Sequence, residues 1–322
     1  MSHDANGTPG ASRTMMALRA HERGGPEKLV YETAPRPVPG SGEVLITVHA
    51  AAITFAELSW DPSWTTLDGR DRTPVIPSHE VAGTVAELGP SVTGVAVGDP
   101  VYGLIDFDRD GAAAEFVTAP ARTLARAPAS VSYAESAALP LSALTAWQAL
   151  VDHAHTAEGE EVLVHGGAGG VGVYAVQIAA LLGARVTATG RSRDADFVRR
   201  LGAARFIDFT SERFDEVASR FDVVLDTVGG DTLERSYGVL APGGRVVTLG
   251  APPAPDHLAR FGTSATFFIV TPDAAQLTHL ARLVDEGGLR PVVSRTFALH
   301  DGRRAFESGT LPHDPGKTVL IP

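Results

Sequence analysis

Residues 161–172 read EVLVHGGAGGVG, and this stretch decides the fold class. Residues 161–165 form an apolar run typical of a buried strand, and the glycines that follow open a helical pattern. The helix carries its apolar side chains on one face, at Val171, Tyr174, Ile178, Leu181 and Leu182. A strand, a glycine turn and a helix in this order predict a parallel, doubly wound α/β sheet.

The glycine turn, Gly167-Ala168-Gly169-Gly170-Val171-Gly172, fits the pattern G-x-G-x-x-G. Residues without a Cβ allow a tight turn and the close approach of a pyrophosphate, whose charge a helix N-terminus favours. We therefore predict that these six residues bind a dinucleotide. The alternative is a glycine-rich turn that binds nothing or binds another nucleotide. A Walker-type phosphate loop is excluded because no Gly-Lys-Ser/Thr follows.

The next predicted strand, residues 185–189, selects the cofactor. An enzyme for NAD usually places Asp or Glu at the end of this strand to bind the ribose 2′-hydroxyl. The chain instead reads Thr189-Gly190-Arg191-Ser192-Arg193. Two guanidinium groups beside a hydroxyl suit a 2′-phosphate, so these residues predict NADPH. Alternatively, both arginines are solvated charges ahead of a helix.

Two patterns divide the chain. Before about Ser130, short strands are separated by turns, which predicts a β-rich domain of barrel type, with strands at 43–52, 80–88, 100–104 and 114–119. After it, strands alternate with helical patterns. Further strands are predicted at 206–208, 222–226, 245–249 and 317–321, and helices at 194–201 and 272–286.

Composition excludes several classes of function. The chain has 322 residues, no cysteine and a formal net charge of -11. The acidic charge argues against nucleic acid, and no apolar run is long enough to span a membrane. Without cysteine there is no disulfide and no cysteine-based zinc site. Residues 1–15 lack the apolar core of a secretory signal, which predicts a disordered leader and a cytoplasmic protein.

The chain resembles the medium-chain dehydrogenase/reductase superfamily, in its zinc-free quinone-oxidoreductase-like branch. Besides the glycine turn, the motifs that carry the resemblance are IPSHEVAGTV (76–85), AALPLSALTAW (137–147), LGA (201–203), LAPGGR (240–245) and GKTVL (316–320). The resemblance implies a GroES-like catalytic domain (16–128 and 272–322), a Rossmann NADP-binding domain (129–271) and an active site in the cleft between them. It also implies a homodimer.

Further site residues follow from this resemblance. It implies cofactor contacts from Thr145, Gly250, Phe268 and Lys317, and substrate contacts from Thr54 and Phe267. Zinc-dependent relatives bind their catalytic metal at positions that align here with Thr54, His79 and Leu141. A catalytic zinc needs three protein donors, so we expect no metal.

The catalytic side chains are less defined than the cofactor site. Hydroxyls of Thr145 or Ser59, a backbone N–H or a water are candidates for stabilising charge on a substrate carbonyl. His79 is a candidate proton donor because its ordinary pKa is suitable, although such a histidine is more often a packed residue. Trp60 and Trp64 suggest an aromatic substrate pocket, or else two core aromatics.

These observations predict an NADPH-dependent, zinc-independent oxidoreductase that transfers hydride to a quinone or an α,β-unsaturated carbonyl compound. Two alternatives stay open. One is a dedicated enone or enoyl reductase of a biosynthetic pathway, because loop details decide specificity. The other is a non-catalytic NADPH-binding protein with a structural or regulatory role, since the chain has Thr54-Phe55-Ala56-Glu57 where relatives often carry Asn-Pro-x-Asp.

Overall fold

The computed structural model describes residues 13–66, 68–216 and 220–322. Its strands are β1 (Thr14–Ala20), β2 (Leu29–Pro35), β3 (Glu43–Ile53), β4 (Glu80–Leu88), β5 (Pro100–Leu104), β6 (Phe116–Pro120), β7 (Leu124–Arg126), β8 (Glu161–Val164), β9 (Arg185–Gly190), β10 (Arg205–Asp208), β11 (Phe221–Asp226), β12 (Leu240–Thr248), β13 (Ser264–Phe267), β14 (Val293–Ala298) and β15 (Lys317–Ile321). The α-helices are α1 (Tyr133–Ala137), α2 (Pro140–Trp147), α3 (Gly172–Leu181), α4 (Ala195–Arg200), α5 (Asp231–Ser236), α6 (His257–Phe261), α7 (Ala274–Asp285) and α8 (Gly302–Glu307).

The dinucleotide-type domain is built on a six-stranded sheet with the order β10-β9-β8-β11-β12-β13, in which every pairing is parallel. Its central strand β8 is apolar because both of its faces are covered, and Val162, Leu163 and Val164 are fully buried. The helix α3 packs against β8 and β9. The α/β fold class predicted from the sequence is confirmed.

The GroES-like domain is built from both ends of the chain. Its sheet has the order β14-β15-β3-β4-β5-β7, with β6 paired to β3. The strand β15 pairs antiparallel with β3, and Thr318 lies opposite Ile53. The C-terminal residues therefore complete a sheet that the N-terminal third of the chain began. The domain boundaries at 128/129 and 271/272 stay a prediction.

Most predicted strands lie within two residues of their predicted ends, and three differences have local causes. The strand β1 begins at Thr14, and Met15 is buried, so the predicted leader 1–15 is too long at its C-terminal end. Residues 1–12 lie outside the described part of the chain. The strand β12 starts at Leu240 because the LAPGGR segment pairs with β11 across a bulge. The alternation of strands and helices predicts a helical segment between β10 and β11, whereas the described residues there contain only a short 3-10 turn, Phe214–Glu216.

Two buried tyrosines tie distant segments together. The Tyr102 hydroxyl on β5 donates to the carbonyl oxygen of Leu277 on α7 at 2.6 Å. On α3, the Tyr174 hydroxyl donates to the Ala138 carbonyl oxygen at 2.9 Å and accepts the Val292 N–H at 3.2 Å. Tyr174 thus satisfies two backbone groups that no water reaches. None of the described helices is both long and apolar enough to cross a membrane.

We expect Tyr174→Phe to lower the free energy of unfolding by about 2 to 4 kcal/mol, because a buried carbonyl and a buried N–H both lose their partner. Urea denaturation measures this loss. Tyr133→Phe is the matched control, since Tyr133 is half-buried and packs its ring 4.6 Å from that of His49. Equal stability of the two variants would contradict the role assigned to the Tyr174 hydroxyl.

Candidate active site

The glycine turn between β8 and α3 has almost no room for side chains. A Cβ on Gly172 would lie 2.0 Å from the Gly166 carbonyl oxygen, and one on Gly167 would lie 2.8 Å from the Ala188 Cβ. The Gly167 N–H donates to the carbonyl oxygen of Thr189 at 2.8 Å, which ties the turn to β9. These two positions therefore require glycine for packing, as the motif predicts.

Gly169 lines a groove instead, and Gly170 lies beside Lys317. A Cβ on Gly169 would come within 3.2 Å of the Gly166 carbonyl oxygen, and one on Gly170 within 3.3 Å of Lys317 Cδ. The groove has a volume of about 360 Å³ and runs past the turn to the end of β9, with residues 309–315 as its opposite wall. A bare backbone at a helix N-terminus beside such a groove fits a dinucleotide pyrophosphate.

The far end of the groove holds the predicted 2′-phosphate site. Arg191 and Arg193 both line it. The Arg191 guanidinium carbon lies 5.9 Å from the centre of the Phe209 ring. Arg193 donates to the His313 carbonyl oxygen at 3.1 Å and lies 3.6 Å from the Asp194 carboxylate. The structure thus places two cations where the sequence predicts them, and one of them also bridges the groove.

Sequence reasoning missed Asp208 at this end. Parallel pairing of β9 with β10 puts Asp208 opposite Gly190, and its carboxylate accepts hydrogen bonds from the hydroxyls of Ser192 and Thr210. The hydrogen bond from Ser192, together with those from Thr210, lowers the pKa of Asp208 to about 2. A carboxylate is therefore present beside the predicted phosphate site, although none lies on β9 itself. Only the strand order reveals it.

Thr189 and Gly190 hold the end of β9 beside the glycine turn. Thr189 is buried, and its hydroxyl lies 3.3 Å from His165 Nδ1 and accepts the Gly166 N–H at 3.2 Å. Burial lowers the pKa of His165 to about 4, so this histidine is neutral at pH 7. A Cβ on Gly190 would lie 2.8 Å from the Phe206 ring. Both residues hold the strand end in place, and Thr189 has no exposed hydroxyl for a ligand.

At the other side of the glycine turn lies a buried ion pair. Lys317 Nζ is 2.5 Å from Glu80 Oε2, and it donates to Thr54 Oγ1 at 2.9 Å. Glu80 Oε1 accepts the Leu141 N–H at 3.0 Å. Burial raises the pKa of Glu80, while the Lys317 ammonium opposes that rise. The predicted residues Thr54 and Lys317 are thus in direct contact beside Gly170.

Glu57 and His79 form a second buried group, near the ion pair. Glu57 Oε2 accepts the Ser78 N–H at 2.8 Å and lies 3.9 Å from His79 Nε2. Burial raises the pKa of Glu57 to about 8 and lowers that of His79 to about 3. Both side chains are therefore predominantly neutral at pH 7. The ordinary pKa that made His79 a candidate proton donor does not apply in this environment.

The hydroxyl and aromatic side chains predicted for the substrate site differ in their hydrogen bonds and in their burial. The Thr145 hydroxyl donates to the Leu141 carbonyl oxygen at 2.6 Å, and the exposed Ser59 hydroxyl donates to the Ala56 carbonyl oxygen at 2.6 Å.

Trp60 is half-buried, with its ring 5.3 Å from that of Phe107. Trp64 is 2% exposed, and its Nε1 donates to the Leu58 carbonyl oxygen. The burial of Trp64 favours the alternative that it is a core aromatic, and a substrate contact from Trp64 stays a prediction.

The remaining predicted contacts follow the ends of β12 and β13. Thr248 on β12 lies opposite Phe267 on β13, so Gly250 and Phe268 come just after these paired ends. The Phe268 ring lies 4.4 Å from that of His153. Carboxyl ends of parallel strands share one edge of a sheet, and the glycine turn after β8 lies at the same edge. The two phenylalanines and Gly250 stay predicted contacts.

The described residues contain no group of three or more His, Cys, Asp or Glu side chains arranged to bind a metal ion. Of the three positions aligned with zinc ligands, only His79 carries a side chain suited to zinc; Thr54 accepts from Lys317, and Leu141 is apolar. The donor set therefore does not fit a catalytic zinc.

Two family models match the chain. The alcohol dehydrogenase GroES-like domain matches residues 40–129, and the zinc-binding dehydrogenase model matches residues 201–320. The first covers much of the β-rich sheet. The second begins after α4 and continues into β15.

Individual relatives match over longer stretches. The chain is 32% identical to a probable zinc-binding oxidoreductase, mitochondrial, of Arthroderma benhamiae, over 91% of this chain and 92% of that protein. It is 35% identical to the 2-methylene-furan-3-one reductase of Solanum lycopersicum, over 77% of this chain and 64% of that protein. The solved quinone oxidoreductase from Coxiella burnetii has a TM-score of 0.89 and 30% identity, and covers 96% of this chain and 99% of its own.

The raised pKa of Glu57 predicts a pH-dependent stability. Between pH 4.5, its ordinary pKa, and pH 8 the folded state keeps a proton that the unfolded chain has lost, so the free energy of unfolding falls as pH rises through this window. Glu57→Gln removes the titration and adds a pH-independent cost, because an amide keeps only one of two acceptor oxygens. The free energy of unfolding of the variant, measured relative to that of the wild type, should therefore rise by several kcal/mol from pH 5 to pH 9, at about 1.4 kcal/mol per pKa unit.

Urea denaturation at several pH values measures this difference. The exposed Glu158→Gln is the matched control and should show a constant difference from wild type. A pH-independent difference for Glu57→Gln would show that Glu57 is ionised in the folded protein at pH 7.

Proposed function

Because the chain belongs to the medium-chain dehydrogenase/reductase superfamily, in its quinone-oxidoreductase-like branch, we propose that this oxidoreductase is NADPH-dependent and zinc-independent and that it reduces a quinone or an α,β-unsaturated carbonyl compound. The observation that carries the proposal is the groove beside the glycine turn, with Arg191 and Arg193 at its far end. Arginine binds phosphate through two parallel N–H bonds, and each of these guanidinium groups borders the groove.

When bound, the reduced nicotinamide supplies a hydride to an electrophilic carbon of the acceptor. The chain contributes position and polarity. Gly169 would present bare backbone to the pyrophosphate, and the arginines would orient the ribose end. As hydride adds, negative charge develops on the carbonyl oxygen of the acceptor, where a hydrogen-bond donor lowers the barrier. The proton that completes the reduction comes from solvent.

The lack of zinc donors supports a mechanism without a metal. Zinc-dependent relatives polarise a carbonyl with the metal itself. Here Thr54 and Leu141 replace two of the three donors. Hydride transfer to a quinone or an enone places the charge on an oxygen that a hydrogen bond can stabilise, so this chemistry does not require the metal.

Three alternatives have specific support. The tomato relative is named for reduction of 2-methylene-furan-3-one, which favours a dedicated enone reductase. Asp208 lies beside Ser192 and favours NADH, because a carboxylate repels a 2′-phosphate and accepts from a 2′-hydroxyl. The absence of the Asn-Pro-x-Asp pattern keeps a non-catalytic NADPH-binding role as the third.

We further propose a cytoplasmic homodimer. Among the described strands β13 is an edge strand of its sheet, and Ile269 just beyond it is exposed. An unpaired strand edge beside an apolar side chain is suited to pairing with a second copy.

The first test follows NADPH oxidation at 340 nm with naphthoquinone, phenanthrenequinone, a cyclic enone, an alkenal and a crotonyl thioester as acceptors. We expect turnover with at least one acceptor, and a kcat/KM for NADPH at least about ten times that for NADH. NADPH binding without oxidation by any acceptor would favour the non-catalytic alternative, and preference for NADH would favour the role of Asp208.

A second experiment tests the cations. Replacing both Arg191 and Arg193 by alanine should raise the Kd of NADPH about 10- to 100-fold, because charge-assisted bonds to the phosphate are lost, and change that of NADH less than about three-fold. Fluorescence titration measures both constants. Arg199→Ala is the control, since Arg199 bonds Asp196 on α4 and does not border the groove. Equal losses for both cofactors would contradict the phosphate assignment.

A further inference from the structure

The hydroxyls of Thr145, Ser59 and Thr54 differ in whether they donate their proton or only accept a hydrogen bond. A hydroxyl has one proton to donate and two lone pairs that accept. Thr145 and Ser59 already donate their protons to backbone carbonyl oxygens. Thr54 is different, because its oxygen accepts a bond from Lys317 and its proton has no acceptor within residues 13–66, 68–216 and 220–322. The Thr54 O–H is therefore available to a ligand.

The bond from Lys317 also fixes the direction of that proton. An ammonium only donates, so Thr54 Oγ1 must accept, and its own O–H points away from Lys317. Lys317 is held in turn by Glu80 at 2.5 Å, and Glu80 by the Leu141 N–H at 3.0 Å. The ammonium and its carboxylate are buried, whereas Thr54 is half-buried. Thr54 is thus the least buried member of this group.

The location of the group is set by two backbone features. The antiparallel register of β15 with β3 places Lys317 beside Thr54, one residue beyond the pair Thr318 and Ile53. The Lys317 side chain runs along the glycine turn, since a Cβ on Gly170 would lie 3.3 Å from Lys317 Cδ. The Thr54 hydroxyl therefore lies close to the glycine turn that borders the cofactor groove.

We propose that Thr54 is a catalytic residue of this site and that its hydroxyl, polarised by Lys317, donates a hydrogen bond to the carbonyl oxygen of the acceptor. The inference rests on the proposed function and adds the group that takes the place of a metal. Lys317 acts through Thr54 and is a positioning residue, because its ammonium is already bonded to Glu80 and Thr54.

The electrons balance without a further reactant. In an enone, hydride from the reduced cofactor forms a C–H bond at the β-carbon, and the carbon–carbon π pair moves to give an enolate. The negative charge then rests on the oxygen that faces Thr54, where a fixed donor is worth more than in water. A solvent proton adds at the α-carbon and restores the carbonyl group. Thr54 keeps its proton throughout.

The test uses Thr54→Val, which keeps the shape and removes the hydroxyl, and Thr54→Ser, which keeps the hydroxyl. With the best acceptor of the panel, Thr54→Val should lower kcat about 100-fold, as for other single donors to a developing oxyanion, with KM changed little. Thr54→Ser should retain kcat within about five-fold. Lys317→Met should also lower kcat, by about ten-fold or more. Thr33→Val and Lys28→Met, both on the surface, are the controls.

A second readout does not depend on turnover. 4-(Dimethylamino)cinnamaldehyde is a conjugated aldehyde whose absorption moves to longer wavelength when its carbonyl oxygen accepts a strong hydrogen bond. With NADP⁺ present, we expect this red shift with the wild type, Thr54→Ser and both controls, and its loss with Thr54→Val. No shift with the wild type, or an equal shift with Thr54→Val, would overturn the inference.

The two proposals fail in different ways. If the wild-type protein did not oxidise NADPH with any of the acceptors, the proposed reductase activity would be refuted. The aldehyde spectra would still decide whether Thr54 donates a hydrogen bond to a carbonyl oxygen. Active wild type together with a Thr54→Val variant of equal kcat would refute the role of Thr54 alone. Thermal unfolding and the Kd of NADPH, measured for each variant, show whether a loss of activity comes from misfolding.

Discussion

The buried ammonium of Lys317 is the constraint on which the catalytic side of the molecule depends. A charge inside a protein must be paired and hydrogen-bonded, or its desolvation costs several kcal/mol. Glu80 on β4 supplies the paired carboxylate and Thr54 after β3 supplies the acceptor hydroxyl. Because Glu80 also accepts the N–H of Leu141 in α2, one ion pair connects both domains. The position of the cleft wall relative to the glycine turn follows from these contacts.

The glycine turn imposes the complementary constraint on the cofactor side. Gly167 and Gly172 pack against β9 and the preceding backbone, so the turn has one shape. Gly169 is exposed and borders the groove. Two glycines of the motif therefore fix the backbone, and a third exposes it to the groove. Parallel strands then bring the ends of β9, β12 and β13 to the same edge, where residues from distant parts of the chain meet.

The electrostatics of the cleft suit an uncharged acceptor. Burial favours the neutral forms of Glu57 and His79, and the charge of Lys317 is balanced by Glu80. The proposed quinone or enone would therefore meet no unpaired charge from these four residues. The charge that develops during reduction then needs a donor that is already oriented, and a hydroxyl fixed by an ammonium meets that need without a metal. At the proposed ribose end the balance of charge is different, because two cations, Arg191 and Arg193, lie near the carboxylate of Asp208.

The family, the fold class and the residues of the glycine turn follow from local patterns in the amino-acid sequence: an apolar strand, residues without a Cβ and one apolar helical face. The sequence also predicts Thr54, Lys317, Arg191 and Arg193 as site residues. What each of them contacts depends on the tertiary structure. Trp60 and Trp64 look equivalent in the sequence, yet only Trp64 is sealed in the core. Asp208 reaches the cofactor end through the pairing of β10 with β9, and Lys317 reaches Thr54 through a pairing that spans most of the chain. Such contacts depend on which distant segments pair in one sheet. The same is true of the pKa shifts that burial causes in Glu57 and His79. No local pattern in the sequence contains this information.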